Sequence, residues 1–291
     1  MEIKQRGSTI GTKIILMFYK TVGYKFPAFI VNFIALYYSL TTASVRKNLQ
    51  SYYDHLEINL NFNQYFKHIR FFSFSIFDRF VSRIDPTNLK IDKVNNKDFY
   101  KLSDGGIVLL SHFGGWAIAA NALQDNKLPT VNVVMRENTK EDLKKVENKE
   151  IRQNEDHVHI IDLNEGGLTA NIKIANALMA GEIVAFMADR VVDPAKTVIV
   201  EFFNEKINFN RSPFDIAIKT KKPIMAVFIV NIGLKHYKLM VVDIHSKNKT
   251  VESLAQIYAN TLEKIIKEYP QQWYNFYDFF KQQGVINDDN R

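Results

Sequence analysis

The 291-residue chain contains no cysteine, which removes disulfides, thiol nucleophiles and zinc–thiolate sites from consideration. It also lacks a GxxxxGK[ST] loop and a GxGxxG turn, so neither a nucleoside triphosphate nor a dinucleotide has its usual glycine-rich cradle. No GxSxG elbow is present, which disfavours a serine hydrolase. His157 and His159 alternate along a predicted strand and so point to opposite faces, a poor arrangement for a metal. No metal and no cofactor are expected. Acidic residues number 31 against 38 basic ones, a net charge of +7. Such an excess suits nucleic acid, anionic lipid or an acidic protein. With no nucleic-acid motif and no Arg-rich tail, nucleic acid is the weakest of the three. Low-complexity linkers and internal repeats are absent, and 46% hydrophobic residues suffice for a full core.

Charge is missing altogether from Phe26 to Ser44. That run approaches the ~20 apolar residues needed to cross a bilayer. Asn32, Ser39, Thr41 and Thr42 dilute it, and Pro27 starts or breaks a helix within it. Lys13, Lys20 and Lys25 precede it and Arg46 and Lys47 follow. Residues 1–50 are therefore read as a membrane-associating helical segment that lies in or dips into an anionic leaflet rather than spanning it. No small-residue site follows that would make it a cleavable signal. A second aromatic and basic helix is predicted over 63–83, ended by Asp85-Pro86. It is either a membrane-facing or acyl-binding surface or a core helix with a solvated basic side.

From residue 90 strands and helices alternate. Strands are predicted at 107–111, 130–135, 157–161, 183–187, 197–203, 223–229 and 237–244, with helices at 116–123, 140–154, 167–180, 212–220 and 250–269. The fold class expected is α/β, a largely parallel central sheet flanked by helices. The last two strands are expected to form an antiparallel hairpin through 231–236. Residues 51–291 are taken as one domain.

The chain is organised around the stretch from Gly106 to Ala117. Ile107 to Leu110 is a continuous apolar run, as in a strand covered on both faces. His112 follows at its C-terminal edge, where open α/β sheets bind ligands. Gly114 and Gly115 then allow a tight turn and a close approach to a ligand. Histidine is the side chain whose ordinary pKa suits proton transfer near neutrality.

Ser111 to Ala119 (SHFGGWAIA) resembles the HFGxWE string of the bacterial late acyltransferases of lipid A biosynthesis, within the lysophospholipid acyltransferase superfamily marked by H-x4-D/E. Other blocks agree in order. Met187-Ala188-Asp189-Arg190 resembles the family's DR block, and Val200 to Asn204 its v-x-FFG block. Arg211 to Ala217 with Lys222-Pro223-Ile224 resembles the GPxxLA…aPv block, and Pro270 to Tyr277 the PxQW tail. Ala43 to Leu49 resembles the end of the family's N-terminal helix. The resemblance implies a glycerolipid acyltransferase-like fold. It also implies transfer of a fatty acyl group from acyl carrier protein or acyl-CoA to a hydroxyl or amine of a membrane lipid or glycolipid acceptor. The place implied is the cytoplasmic face of the bacterial inner membrane, peripheral or monotopic. His112 would act as general base, and a carboxylate five residues on would orient it.

That carboxylate position holds Ala117. One reading is that a natural glutamate has been replaced, favoured by the intact remainder of the motif. The other is a chain that lacks the acid naturally, being inactive or recruiting another carboxylate such as Asp189. Without the acid the chain is expected to be slower by about 10²–10⁴-fold. The alternative function is a catalytically inactive lipid-binding or complex-forming protein of the same fold. Further substrate-binding candidates are Arg136 and Arg190, each just past a strand end, and Arg211 with Ser212 at a helix start. Gly114 and Gly115 are candidate oxyanion donors. Trp273, Tyr274 and Phe276 are read as core.

Overall fold

The computed structural model describes residues 9–94, 98, 100–118, 128–136, 157–191 and 193–284. The predicted helix at 140–154 and most of that at 116–123 lie outside the described residues; the latter is helical from Trp116 to Ile118.

The described residues begin with four helices: α1 (Thr9–Val22), α2 (Lys25–Thr41), α3 (Ala43–His55) and α4 (Phe62–Ile84). Pro27 sits in the first turn of α2, where its missing N–H costs nothing. Asn61 caps α4, its side chain accepting the Gln64 N–H at 2.9 Å. Among the described residues no single helix is long and apolar enough to cross a membrane. The pair α2 and α3 together would be, but it is bent by 86°.

Strands and helices then follow: β1 (Lys90–Val94), β2 (Gly106–Leu110), β3 (Val131–Met135), β4 (Val158–Asp162), α5 (Gly167–Met179), β5 (Ile183–Met187), β6 (Thr197–Phe202), β7 (Glu205–Asn210), α6 (Ser212–Thr220), β8 (Ile224–Gly233), β9 (His236–Asp243), α7 (Val251–Glu268) and α8 (Phe279–Gln283). Among the described residues seven strands form one sheet in the order β1-β9-β8-β2-β5-β3-β4. All pairings are parallel except the β8–β9 hairpin. The protein is thus α/β with a mostly parallel sheet flanked by helices, as expected.

Two details depart from the sequence reading. The predicted strand at 197–203 is not in this sheet; it pairs with β7 in a separate two-stranded hairpin. Phe203 and Asn204 turn that hairpin with positive φ at both (52° and 60°), the combination a tight two-residue β-turn demands. Strands β1 and β7 had not been foreseen. β7 alternates apolar with polar side chains over Ile207 to Asn210, and β1 is a half-exposed edge strand with a lysine at position 90 and another at 93, which weakens the hydrophobic signal.

β2 is buried at all five positions, with β5 and β8 as its neighbours. Its residues serve two cores alternately. Ile107 and Leu109 pack with α7, α5, the β6–β7 hairpin and Trp273, while Val108 and Leu110 pack with α1, α2 and the second half of α4. Each such side chain gains roughly 1.5–3 kcal/mol from burial. Helix α4 spans both cores, with Tyr65 and Ile69 in the first and Phe74, Phe77 and Val81 in the second.

Candidate active site

Leu110 at the end of β2 is paired in register with Met187 at the end of β5. Two residues beyond each, parallel pairing sets His112 beside Asp189. The Asp189 side chain is fully buried, and it accepts from His112 twice. The His112 backbone N–H meets Oδ2 at 3.0 Å and the ring nitrogen Nδ1 lies 2.9 Å from Oδ1. A third donor, the indole Nε1–H of Trp273, reaches Oδ2 at 3.0 Å. A carboxylate with three such donors is well compensated for its burial. Burial alone would raise its pKa. The imidazole, its hydrogen bonds and the Arg190 charge outweigh that and hold the acid at about 2. Burial lowers the His112 pKa, with help from Arg190 and against the pull of Asp189. The imidazole is therefore neutral at pH 7. With Nδ1 engaged by the carboxylate, Nε2 is the free acceptor.

The His112 side chain is 24% exposed, through a cavity of about 220 Å³. Its walls include Phe72, Ile76 and Arg79 of α4, the stretch Gly114 to Ala117, Arg190, and Tyr274 and Tyr277 of the C-terminal segment. The volume is below the ~300–1,000 Å³ of pockets that enclose a whole drug-sized ligand.

The C-terminal segment is stitched to the histidine loop. Gly114 N–H donates to Gln272 O at 2.7 Å, and Tyr274 N–H donates to His112 O at 2.7 Å. Arg190 donates through Nε to Asn275 Oδ1 at 2.6 Å and through Nη2 to Tyr274 O at 2.8 Å. Its guanidinium also lies 5.2 Å from the Tyr277 ring centroid. Gly114 has φ +57°, and a Cβ there would lie 1.8 Å from Ile229 O. Only glycine fits. Gly115 N–H donates to Ile229 O at 2.7 Å. Both glycine amides that the sequence suggested as oxyanion donors are thus bound to other backbone carbonyls.

Of the candidates from sequence, His112, Asp189, Arg190, Gly114, Gly115 and Ala117 come together here. Arg136 follows β3 and is exposed, outside the cavity lining. Arg211 pairs with Asp215 at 3.2 Å and Glu252 at 3.1 Å, and Ser212 N–H donates to Asn210 Oδ1; neither residue lines the cavity. Sequence reasoning missed Arg79 on the cavity wall and the bond from Trp273 to the acid. Tyr274 is buried and Phe276 packs against the core, as read, and both also border the cavity. The QW pair of the C-terminal block was the available signal.

Fold and site together define an α/β protein built on a strand-end histidine–carboxylate pair. The model of the bacterial lipid A biosynthesis acyltransferase family matches residues 65–282, and the chain belongs to that family. It is accordingly an acyltransferase-family protein of lipid biosynthesis, a class that moves acyl groups to lipid acceptors. No individual curated protein matches the chain.

Proposed function

We propose that this protein transfers a fatty acyl group from a thioester to a hydroxyl, or an amine, of a membrane lipid or glycolipid, with His112 as general base and Asp189 as its orienting acid. The observation that carries this reading is the double hold of the buried Asp189 on His112, through the backbone N–H and Nδ1. Asp189 then does what a carboxylate at position 117 would do, and Ala117 is a cavity wall residue. Nε2 takes the proton of the acceptor hydroxyl as its oxygen attacks the thioester carbonyl. The tetrahedral oxyanion faces the guanidinium groups of Arg79 and Arg190, which line the same cavity. Its collapse expels the thiolate, which receives the proton back from Nε2. The donor is carried on acyl carrier protein, an acidic partner that a chain of charge +7 attracts, or on coenzyme A.

The protein sits peripherally or monotopically on the cytoplasmic face of the bacterial inner membrane. Supporting this, α2 buries its small residues Ala28, Val31, Ala35 and Ser39 and turns Phe29, Phe33, Tyr37 and Leu40 outward, at 56–67% exposure. A helix that hides its small residues and exposes its aromatics suits an apolar surround.

The test is acyl transfer from a panel of acyl carrier protein and coenzyme A thioesters into membrane lipids, read by mass spectrometry. Product from the native chain that His112→Ala abolishes supports the reading. Ala117→Glu should change the rate by less than about tenfold. A gain of about 10²–10⁴-fold would mean that the acid belongs at 117 and that Asp189 does not serve. No product with any donor would favour the non-catalytic lipid-binding reading.

A further inference from the structure

Trp273 does not line the cavity, yet it touches the acid of the pair. Of the three donors on Asp189 among the described residues, two belong to His112, and of these the ring N–H moves with the imidazole. The indole is anchored elsewhere. Its ring is boxed by Tyr52, Phe202 and Phe279, with centroids 5.2, 5.7 and 4.6 Å away, and it is fully buried. Apolar packing of that kind needs a ring but no N–H, whereas the N–H here ends on a carboxylate oxygen.

We propose that Trp273 is a positioning residue for acyl transfer: its indole N–H pins the Asp189 carboxylate so that Oδ1 stays on His112 Nδ1 and Nε2 is held ready at the cavity. This inference rests on the reading of His112 as base. Without the third donor the carboxylate keeps one fixed anchor, the His112 backbone N–H, and can swing about it together with the imidazole. Loss of the indole dipole also leaves the carboxylate less neutralised, which favours the imidazolium. Among the described residues, the other charged or titratable groups around the pair are Arg190, Tyr274, Tyr277, Tyr258 of α7 and, across the cavity, Arg79 of α4.

The experiment replaces Trp273 alone with β-(3-benzothienyl)alanine, a ring of the same shape without the N–H, and also makes Trp273→Phe. Full-length protein in detergent micelles, labelled with ¹⁵N-histidine, is titrated by NMR, with His112→Gln to assign the His112 signals. Turnover is measured with the thioester panel above. In the native protein His112 is expected to carry its proton on Nδ1 at pH 7. In the benzothienyl variant kcat should fall about 10- to 100-fold, the range for a hydrogen bond to a charged group. KM should hold, and the His112 titration should move to higher pH. A kcat, titration and tautomer equal to native would overturn the proposal. A lower kcat with an unmoved titration would also overturn it, leaving the indole as packing. A native His112 protonated on Nε2 would instead sink the general-base reading itself. Should Trp273→Phe fail to fold, the benzothienyl variant still decides.

Discussion

Asparagine at position 189 removes the charge of the pair without emptying its space. The carboxylate receives three N–H groups, from the His112 backbone, His112 Nδ1 and Trp273 Nε1. An asparagine oxygen turned toward the His112 backbone N–H and Trp273 keeps two of them. Its NH₂ then faces Nδ1 and donates, which drives the imidazole proton onto Nε2 and disables the base. The loss of kcat should approach the ~10⁴ that the same tautomer error costs in a Ser-His-Asp triad. Folding should suffer far less, about 1–3 kcal/mol, because the donors remain paired. The pH dependence has a definite sign. The native acid titrates at about 2, below the ordinary 3.8. Its stabilisation, on the order of 2 kcal/mol, is therefore present above pH 4 and lost as the pH falls through 2. The gap in stability between native and Asp189→Asn should narrow over that window in urea unfolding. Turnover of Asp189→Asn within tenfold of native, at pH 7 and with the fold intact, would refute the pairing of Asp189 with the catalytic imidazole.

Gly114→Ala should abolish activity and lower the melting temperature sharply, since its Cβ would sit 1.8 Å from Ile229 O at φ +57°; a melt within 2–3 °C of native, a shift worth under ~1 kcal/mol, would contradict the loop geometry. Asp78 is buried and receives Tyr24 OH at 2.7 Å and Tyr237 OH at 2.5 Å, joining α4 to the start of α2 and to β9. Burial raises its pKa to about 6, so stability should fall as pH rises from 4 to 6, by on the order of 3 kcal/mol. Asp78→Asn should flatten that component of the slope in denaturation series, and an unchanged slope would show that Asp78 ionises normally. Arg190→Gln removes a charge that lowers the His112 pKa. The acid limb of kcat/KM should move to higher pH, and a limb that stays in place would show that Arg190 exerts no field on the base.

Legibility in the sequence divides by range. The buried run Ile107 to Leu110 is written in adjacent residues, so β2 and the placement of His112 at its end could be read directly. The amphipathic run predicted as a helix at 250–269 likewise marked α7 to within a residue at each end. The charge-free stretch from Phe26 to Ser44 showed that an apolar helix lay there. Only the folded chain showed that α2 turns its small residues inward and its aromatics outward. Edge strand β1 was missed because a strand seen by solvent on its outer side carries the lysines of a loop.

What the sequence by itself determined is the inventory: an α/β alternation, a histidine at the end of a buried strand, and no acid at position 117. What only the tertiary structure decided is the partner. His112 and Asp189 are 77 residues apart. They meet because β5, not a sequential neighbour, lies against β2 with Leu110 beside Met187. Strand order and register are settled by the packing of whole elements, which no local pattern encodes. The same holds for Trp273, whose indole reaches Asp189 across the chain because the rings of Tyr52 and Phe202, from distant segments, and of nearby Phe279 hold it there.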